Sequence, residues 1–191
     1  MDMEIVEKLQ ERFGVRLSEE SAQLFASVLE RKQYRKDESI LGQGEVSRYM
    51  YIIETGLIRQ FYYKDGRDIT EHFSCEGDIA ACLESLFLQK PTELLVEALE
   101  PSVIYLLDYE AWEKLCDAHP DINEIYRRMI ESKLIVSQRK ADSWRFESAH
   151  ERYDRFLRDY PGVAKRASVA HIASYLLMTP ETLSRVRAGT L

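Results

Sequence analysis

Ser168-Val-Ala-His-Ile172-Ala-Ser-Tyr-Leu-Leu-Met-Thr179-Pro-Glu-Thr-Leu-Ser-Arg185-Val-Arg187 decides how this chain is read. Ser168 is a good N-cap, and Val169, Ile172, Ala173 and Leu176 recur at helical spacing, which predicts a helix over 168–176. A tight connection, Leu177-Met178, follows. Thr179 then caps a second helix with Pro180 in its first position and Glu181 at the positive end of its dipole. Leu183 and Val186 face inward. Two helices joined by so short a turn form a helix-turn-helix, whose second helix presents its N-terminal residues to base edges. On periodicity alone a helical hairpin without DNA binding is the other reading.

The charge upstream supports a polyanion-binding end. The 191 residues carry −7 overall, but the part from Arg127 onward carries +6 and the first 126 residues carry −13. Residues 121–146 contain no Gly or Pro and read as one long helix, with Ile122, Ile125, Met129 and Val136 on a seam that weakens after Val136. About 26 residues span ~39 Å. A partner helix is the expected cover for that seam, so charged residues at Ile125 and Met129 are expected to give a monomer. A helix lying across its own barrel is the alternative.

Before this helix the period is that of short strands. Tyr49-Met-Tyr-Ile-Ile53, Leu57 to Tyr63, Asp68 to Phe73, Leu94 to Ala98 and Val103 to Leu107 are separated by turn residues, and Asp65-Gly66 marks a hairpin. Such strands predict an antiparallel sandwich or barrel. Ile5, Val6, Leu9 and Phe13 predict a first helix, and Ser18 caps a second. The composition is that of a soluble protein, no apolar run reaches the ~18 residues that span a bilayer, and the start at Met1 shows no signal peptide. Cys75, Cys82 and Cys116 fit no zinc or disulfide pattern and read as reduced thiols. No nucleophile elbow, metal-ligand cluster or phosphate loop points to an enzyme.

The segment from Ile172 to Arg187 resembles the helix-turn-helix of the Crp-Fnr family, whose pattern is Ile-Ala-x-x-Leu-Gly-x-x-x-Glu-Thr-x-Ser-Arg. Gly42-Gln-Gly44, Tyr51-Ile-Ile-Glu-Thr-Gly56 and Gly77-Asp78 resemble the same family's cyclic-nucleotide-binding-type barrel. The resemblance implies an α+β chain in three parts: an antiparallel jelly-roll β-barrel over 1–118, a dimerisation helix over 119–148 and a DNA-binding domain over 149–191. It implies a cytoplasmic bacterial transcription regulator acting as a homodimer on double-stranded DNA, with RNA polymerase and a small-molecule effector as further partners, no membrane and no enzymatic activity. Glu181 and Arg185 become base readers, Thr182 and Ser184 phosphate contacts, with Thr179 and Arg187 beside them. Arg166 is expected to meet DNA phosphates irrespective of sequence.

Three departures qualify this. Leu177 stands where the turn glycine is usual, at a cost on the order of 1 kcal/mol if φ is positive. The sequence stops at Leu191, before the winged hairpin of many relatives. The residues that would hold a cyclic nucleotide are also replaced. Ala81-Cys82 stand for Gly-Glu, and Thr92-Glu93-Leu94 for Arg-Ser-Ala, so a buried phosphate would lack its cation and cyclic AMP is not expected to bind. The expected effector pocket is lined by Ile79, Cys82, Leu83, Thr92 and Glu93. No cofactor is implied. A haem ligand at His72 and a redox thiol at Cys82 are the weaker alternatives. The competing function is a ligand- or protein-binding module of the same fold that no longer reads DNA.

Overall fold

Met3–Phe13 (α1) and Glu19–Ser27 (α2) lead into the sheets in the computed structural model, which describes residues 3–190. Met1, Asp2 and Leu191, on which the expected chain ends fall, lie outside the described residues. Ser18 caps α2 by accepting from the Ser21 amide at 3.1 Å. The Asp121 carboxylate accepts from the Ser18 amide and the Ser21 hydroxyl, which ties α2 to the start of the long helix.

Eight strands follow: Leu29–Tyr34 (β1), Ser39–Leu41 (β2), Tyr49–Thr55 (β3), Ile58–Lys64 (β4), Arg67–Ser74 (β5), Ile79–Ala80 (β6), Leu95–Ala98 (β7) and Ser102–Asp108 (β8). They form two antiparallel four-stranded sheets, in the orders β1-β8-β3-β6 and β2-β7-β4-β5. The expected jelly roll is present as two open sheets rather than one closed barrel. The β6 edge is only two residues long, and Leu83–Leu88 (α3) follows it. The expected hairpin joins β4 and β5 through Asp65 (φ 51°) and Gly66 (φ 72°), two positive-φ residues as a tight hairpin turn requires. At Gly56 (φ 104°) a Cβ would stand 2.1 Å from the Ser102 hydroxyl, so the β3–β4 turn admits only glycine.

Alternation along β3 makes two cores. Tyr51 and Ile53 face the other sheet with Ile58, Val96, Ala98, Ile104 and Leu106. Met50 and Ile52 face a helical layer of α1, α2 and Tyr109–Ala118 (α4). Pro120–Phe146 (α5) joins that layer, and here one expectation is corrected. Ile122, Ile125 and Met129 are buried against the chain's own α1, α2 and α4, so they do not form a free seam. Beyond Met129 one face of the helix stays against the sandwich, where Lys140 is buried on Glu71, and the other is open. Leu134, Ile135 and Val136 are 67%, 48% and 37% exposed.

The remaining helices are Ala149–Asp159 (α6), Val163–Arg166 (α7), Val169–Tyr175 (α8) and Pro180–Ala188 (α9). They pack on the sandwich through a third core, in which Leu57 and Phe73 meet Phe156, Val163, Ile172, Tyr175 and Leu183. Phe73 lies 5.4 Å from the Tyr175 ring and 6.2 Å from the Phe156 ring, centroid to centroid.

Candidate nucleic-acid interface and effector cleft

Local chemistry builds the helix-turn-helix. Ser168 accepts from the His171 amide at 3.1 Å and Thr179 from the Thr182 amide at 3.2 Å, so each helix begins at a side-chain cap. Between them Leu177 takes φ 51°, its amide bonds Ser174 O at 3.1 Å, and the Met178 amide bonds Ala173 O at 2.9 Å. That pair of bonds is a Schellman termination, formed here with leucine at the left-handed position usually held by glycine. Leu177 is 46% exposed, so its side chain recovers little of the backbone strain by packing.

Leu183 seats α9 in the third core, and Val186 is buried beneath the same helix. The opposite face is open: Thr179, Glu181, Ser184, Arg185 and Arg187 are all exposed. Thr182 is half-buried and engaged with the Thr179 hydroxyl at 3.2 Å, so it belongs more to the cap than to the open face. Its own backbone amide and then the Thr179 hydroxyl hold the Glu181 carboxyl below the ordinary carboxylate range. It is therefore an acceptor at neutral pH. The Arg185 guanidinium makes no hydrogen bond or ion pair among the described residues, whereas Arg187 lies over the Tyr153 ring at 5.5 Å.

The module is held to the sandwich by polar contacts as well. The Ser174 hydroxyl donates to Asp68 O at 2.9 Å and accepts from the Thr70 amide at 2.7 Å, which docks α8 on β5. Lys140, buried near the end of α5, donates to the carbonyl and carboxylate of Glu71 and lies over the rings of Trp144 and Tyr175. Arg166 spans two carboxylates of the sandwich, Glu76 at 2.8 Å and Glu100. The expectation that Arg166 meets DNA phosphates is thereby corrected for this arrangement: its charge is already matched. Arg59, 4% exposed within β4, is likewise matched by Asp68 and Glu97 and stacks 3.9 Å from Phe61. Neither role was visible in the sequence, although an arginine between Ile58 and Phe61 was a signal of a buried ion pair.

The expected effector residues separate into two groups. Ile79 and Leu83 line a cleft between the sandwich and α5. Cys82, Thr92 and Glu93 do not. Cys82 is 1% exposed and accepts from Gln60 Nε2, which also donates to Ala81 O at 3.1 Å. Burial raises its thiol pKa, which leaves it a poor thiolate. Thr92 is buried and accepts from the Leu94 amide, while Glu93 is exposed and accepts from Gln43 at 2.6 Å. The positions expected to hold a cyclic nucleotide are thus taken by the packed Cys82 and Thr92 and by the acidic Glu93, none of them a cation. His72 lines the cleft instead. Burial first, then the ammonium groups of Lys140 and Lys133, push its pKa down to about 3.

With this geometry in place, residues 31–119 match the family model of the cyclic nucleotide-binding domain. Among solved structures, FixK2 from Bradyrhizobium japonicum is 25% identical, with a TM-score of 0.73 over 85% of this chain and 84% of that one. The chain thus carries a cyclic nucleotide-binding domain and has the fold of solved Crp-Fnr regulators. Two further structures share the Crp-Fnr fold at lower identity. The catabolite activator protein of Thermus thermophilus is 20% identical over 95% of this chain and 85% of its own, with a TM-score of 0.58. A Eubacterium rectale protein described as a crp/fnr family regulator is 16% identical over 91% and 83%, with a TM-score of 0.67. No curated protein sequence matches the chain. No helix among the described residues is long and apolar enough to cross a membrane.

Proposed function

We propose that the chain is a homodimeric, cytoplasmic transcription regulator whose α9 reads base edges in the major groove. One observation carries this reading: a capped, core-anchored helix leaves Glu181, Ser184 and Arg185 together on its exposed face, with Arg187 exposed at the flank. An arginine fork suits guanine O6 and N7, and a carboxylate can accept from a cytosine amine. The hydroxyls of Ser184 and Thr179 suit phosphates. Leucine at position 177 argued for a degenerate module. Its turn nevertheless closes with both expected hydrogen bonds, which supports a working one.

The homodimer needs a different seam from Ile122, Ile125 and Met129. Leu134, Ile135 and Phe146 supply it: they are exposed on the open face of the second half of α5, and Ile135 and Phe146 lie three helical turns apart on one face. Of the seam first expected, Val136 alone stays exposed. Pairing these faces would bury leucine, isoleucine and phenylalanine that otherwise stand in water. The effector is not cyclic AMP in this reading, because Thr92 and Glu93 stand where its phosphate would need an arginine. Selection of bound fragments from random duplex DNA tests the proposal. The full chain should enrich a palindrome with half-sites about 34 Å apart. Enrichment of no motif, with and without cell extract to supply an effector, would overturn it.

A further inference from the structure

The cleft between the sandwich, α1 and α5 has a volume of about 170 Å³. An apolar cavity of roughly 150 Å³ is enough to hold benzene. Its lining mixes apolar side chains, Met50, Phe73, Ile79 and Val136, with the hydroxyls of Ser74, Ser132 and Ser137. The charges facing this space do not cancel. Arg12 is bonded to Asp78 at 2.9 Å and to Gly77 O, so that pair is neutral. His72 stays uncharged at neutral pH, as its low pKa requires. Lys133 remains, and among the described residues it makes no hydrogen bond or ion pair. Lys133 is half-buried, partial desolvation lowers its pKa, and Asp78, the opposing charge that acts on it, is committed to Arg12. A partly dehydrated cation without a partner is unfavourable, and one anion would relieve it.

We propose that this cleft is an effector site for a small monocarboxylate. The carboxylate would sit on the Lys133 ammonium with serine hydroxyls as further donors, and an apolar body of about six or seven carbons would lie against Phe73 and Ile79. A monoanion leaves the site neutral, whereas a phosphate dianion would leave it charged. The cleft is bounded by the sandwich, by α5 and by Tyr160 of the DNA-binding module, so an occupant touches all three parts at once. Its regulatory consequence rests on the regulator reading; the binding itself does not.

Calorimetric titration of the full chain with sodium benzoate and sodium hexanoate, in the absence of DNA, tests the site. Binding of at least one of them is expected, with the matching amide, benzamide or hexanamide, at least tenfold weaker. Lys133→Met should weaken the carboxylate at least tenfold, and Val136→Trp, which fills the cleft from a partly exposed position, should do the same. If Lys133→Met does not fold, Val136→Trp decides. No heat from either carboxylate at millimolar concentration, equal affinity for acid and amide, or unchanged affinity in the folded variants would overturn the proposal. Since no DNA is present, such a result leaves the regulator reading standing, and the failure of DNA selection leaves this one standing.

Discussion

Arg166→Ala should loosen the DNA-binding module from the sandwich, by an amount that depends on pH. Arg166 bonds Glu76 through both carboxylate oxygens, at 2.8 and 2.9 Å, and also bonds Glu100. That guanidinium is the largest reason the Glu76 carboxyl is held down at about 2 against an ordinary 4.5. A fully desolvated group shifted that far would contribute roughly 3 kcal/mol. Glu76 is 46% exposed, so solvent screening reduces this to about 1–1.5 kcal/mol. A depressed carboxylate stabilises the fold above its unfolded pKa and loses that contribution as pH falls toward its folded value. Wild type and variant should therefore differ by about 1–1.5 kcal/mol at pH 7. More than half of the gap should be gone at pH 3, within the window from 4.5 down to about 2. Urea unfolding at pH 7, 5 and 3, followed by circular dichroism, measures it. A gap below about 0.3 kcal/mol at pH 7, or one that does not narrow with acid, would refute the reasoning, since an exposed, energetically idle pair behaves that way.

Three further outcomes are expected. Leu177→Gly should stabilise the protein by about 0.5–1 kcal/mol in urea unfolding, because relief of ~1–2 kcal/mol of left-handed strain exceeds the entropy a glycine adds to the unfolded chain; unchanged or lower stability would contradict the turn geometry. Leu134→Glu with Ile135→Glu should give a folded monomer in sedimentation, whereas Ile125→Glu should unfold the protomer; a folded monomer from Ile125→Glu would restore the first seam. Arg59→Met should cost about 3–5 kcal/mol by leaving Asp68 and Glu97 without their buried cation, and a cost below 1 kcal/mol in thermal unfolding would show that the pair is solvated.

The parts of the fold that were legible carry their own local chemistry. Ser168 and Thr179 stand directly before apolar residues at helical spacing, so α8 and α9 could be placed within a residue or two, and Asp65-Gly66 announced its hairpin. β1 was not legible. Its Glu30, Arg31, Lys32 and Gln33 are exposed, and the strand exists because its backbone pairs with β8, which no side-chain pattern records. β6 and α3 were too short to show a period. Helical spacing identified the apolar face of α5 correctly at Ile122, Ile125 and Met129, but a periodicity does not say whose surface covers the face, and here it is the chain's own α1, α2 and α4. Lys133 carries no sequence signal that sets it apart from the other charged residues of that helix. Its place in a cleft arises only where β5, α1 and α5 converge, with His72 and Arg12 some sixty and one hundred and twenty residues away in sequence.

The account turns on α9 reading bases, and Arg185 tests that most directly. Once a palindromic site has been selected, the affinity of wild type and Arg185→Ala should be measured by fluorescence anisotropy on that site and on variants with each base pair of one half-site replaced. The account predicts a loss of about 1–3 kcal/mol for Arg185→Ala on the selected site, with preference lost at one base pair per half-site and kept at the others. A uniform loss across all sequences, or no loss, would show that Arg185 does not read a base and would contradict the assignment of α9 as the recognition helix.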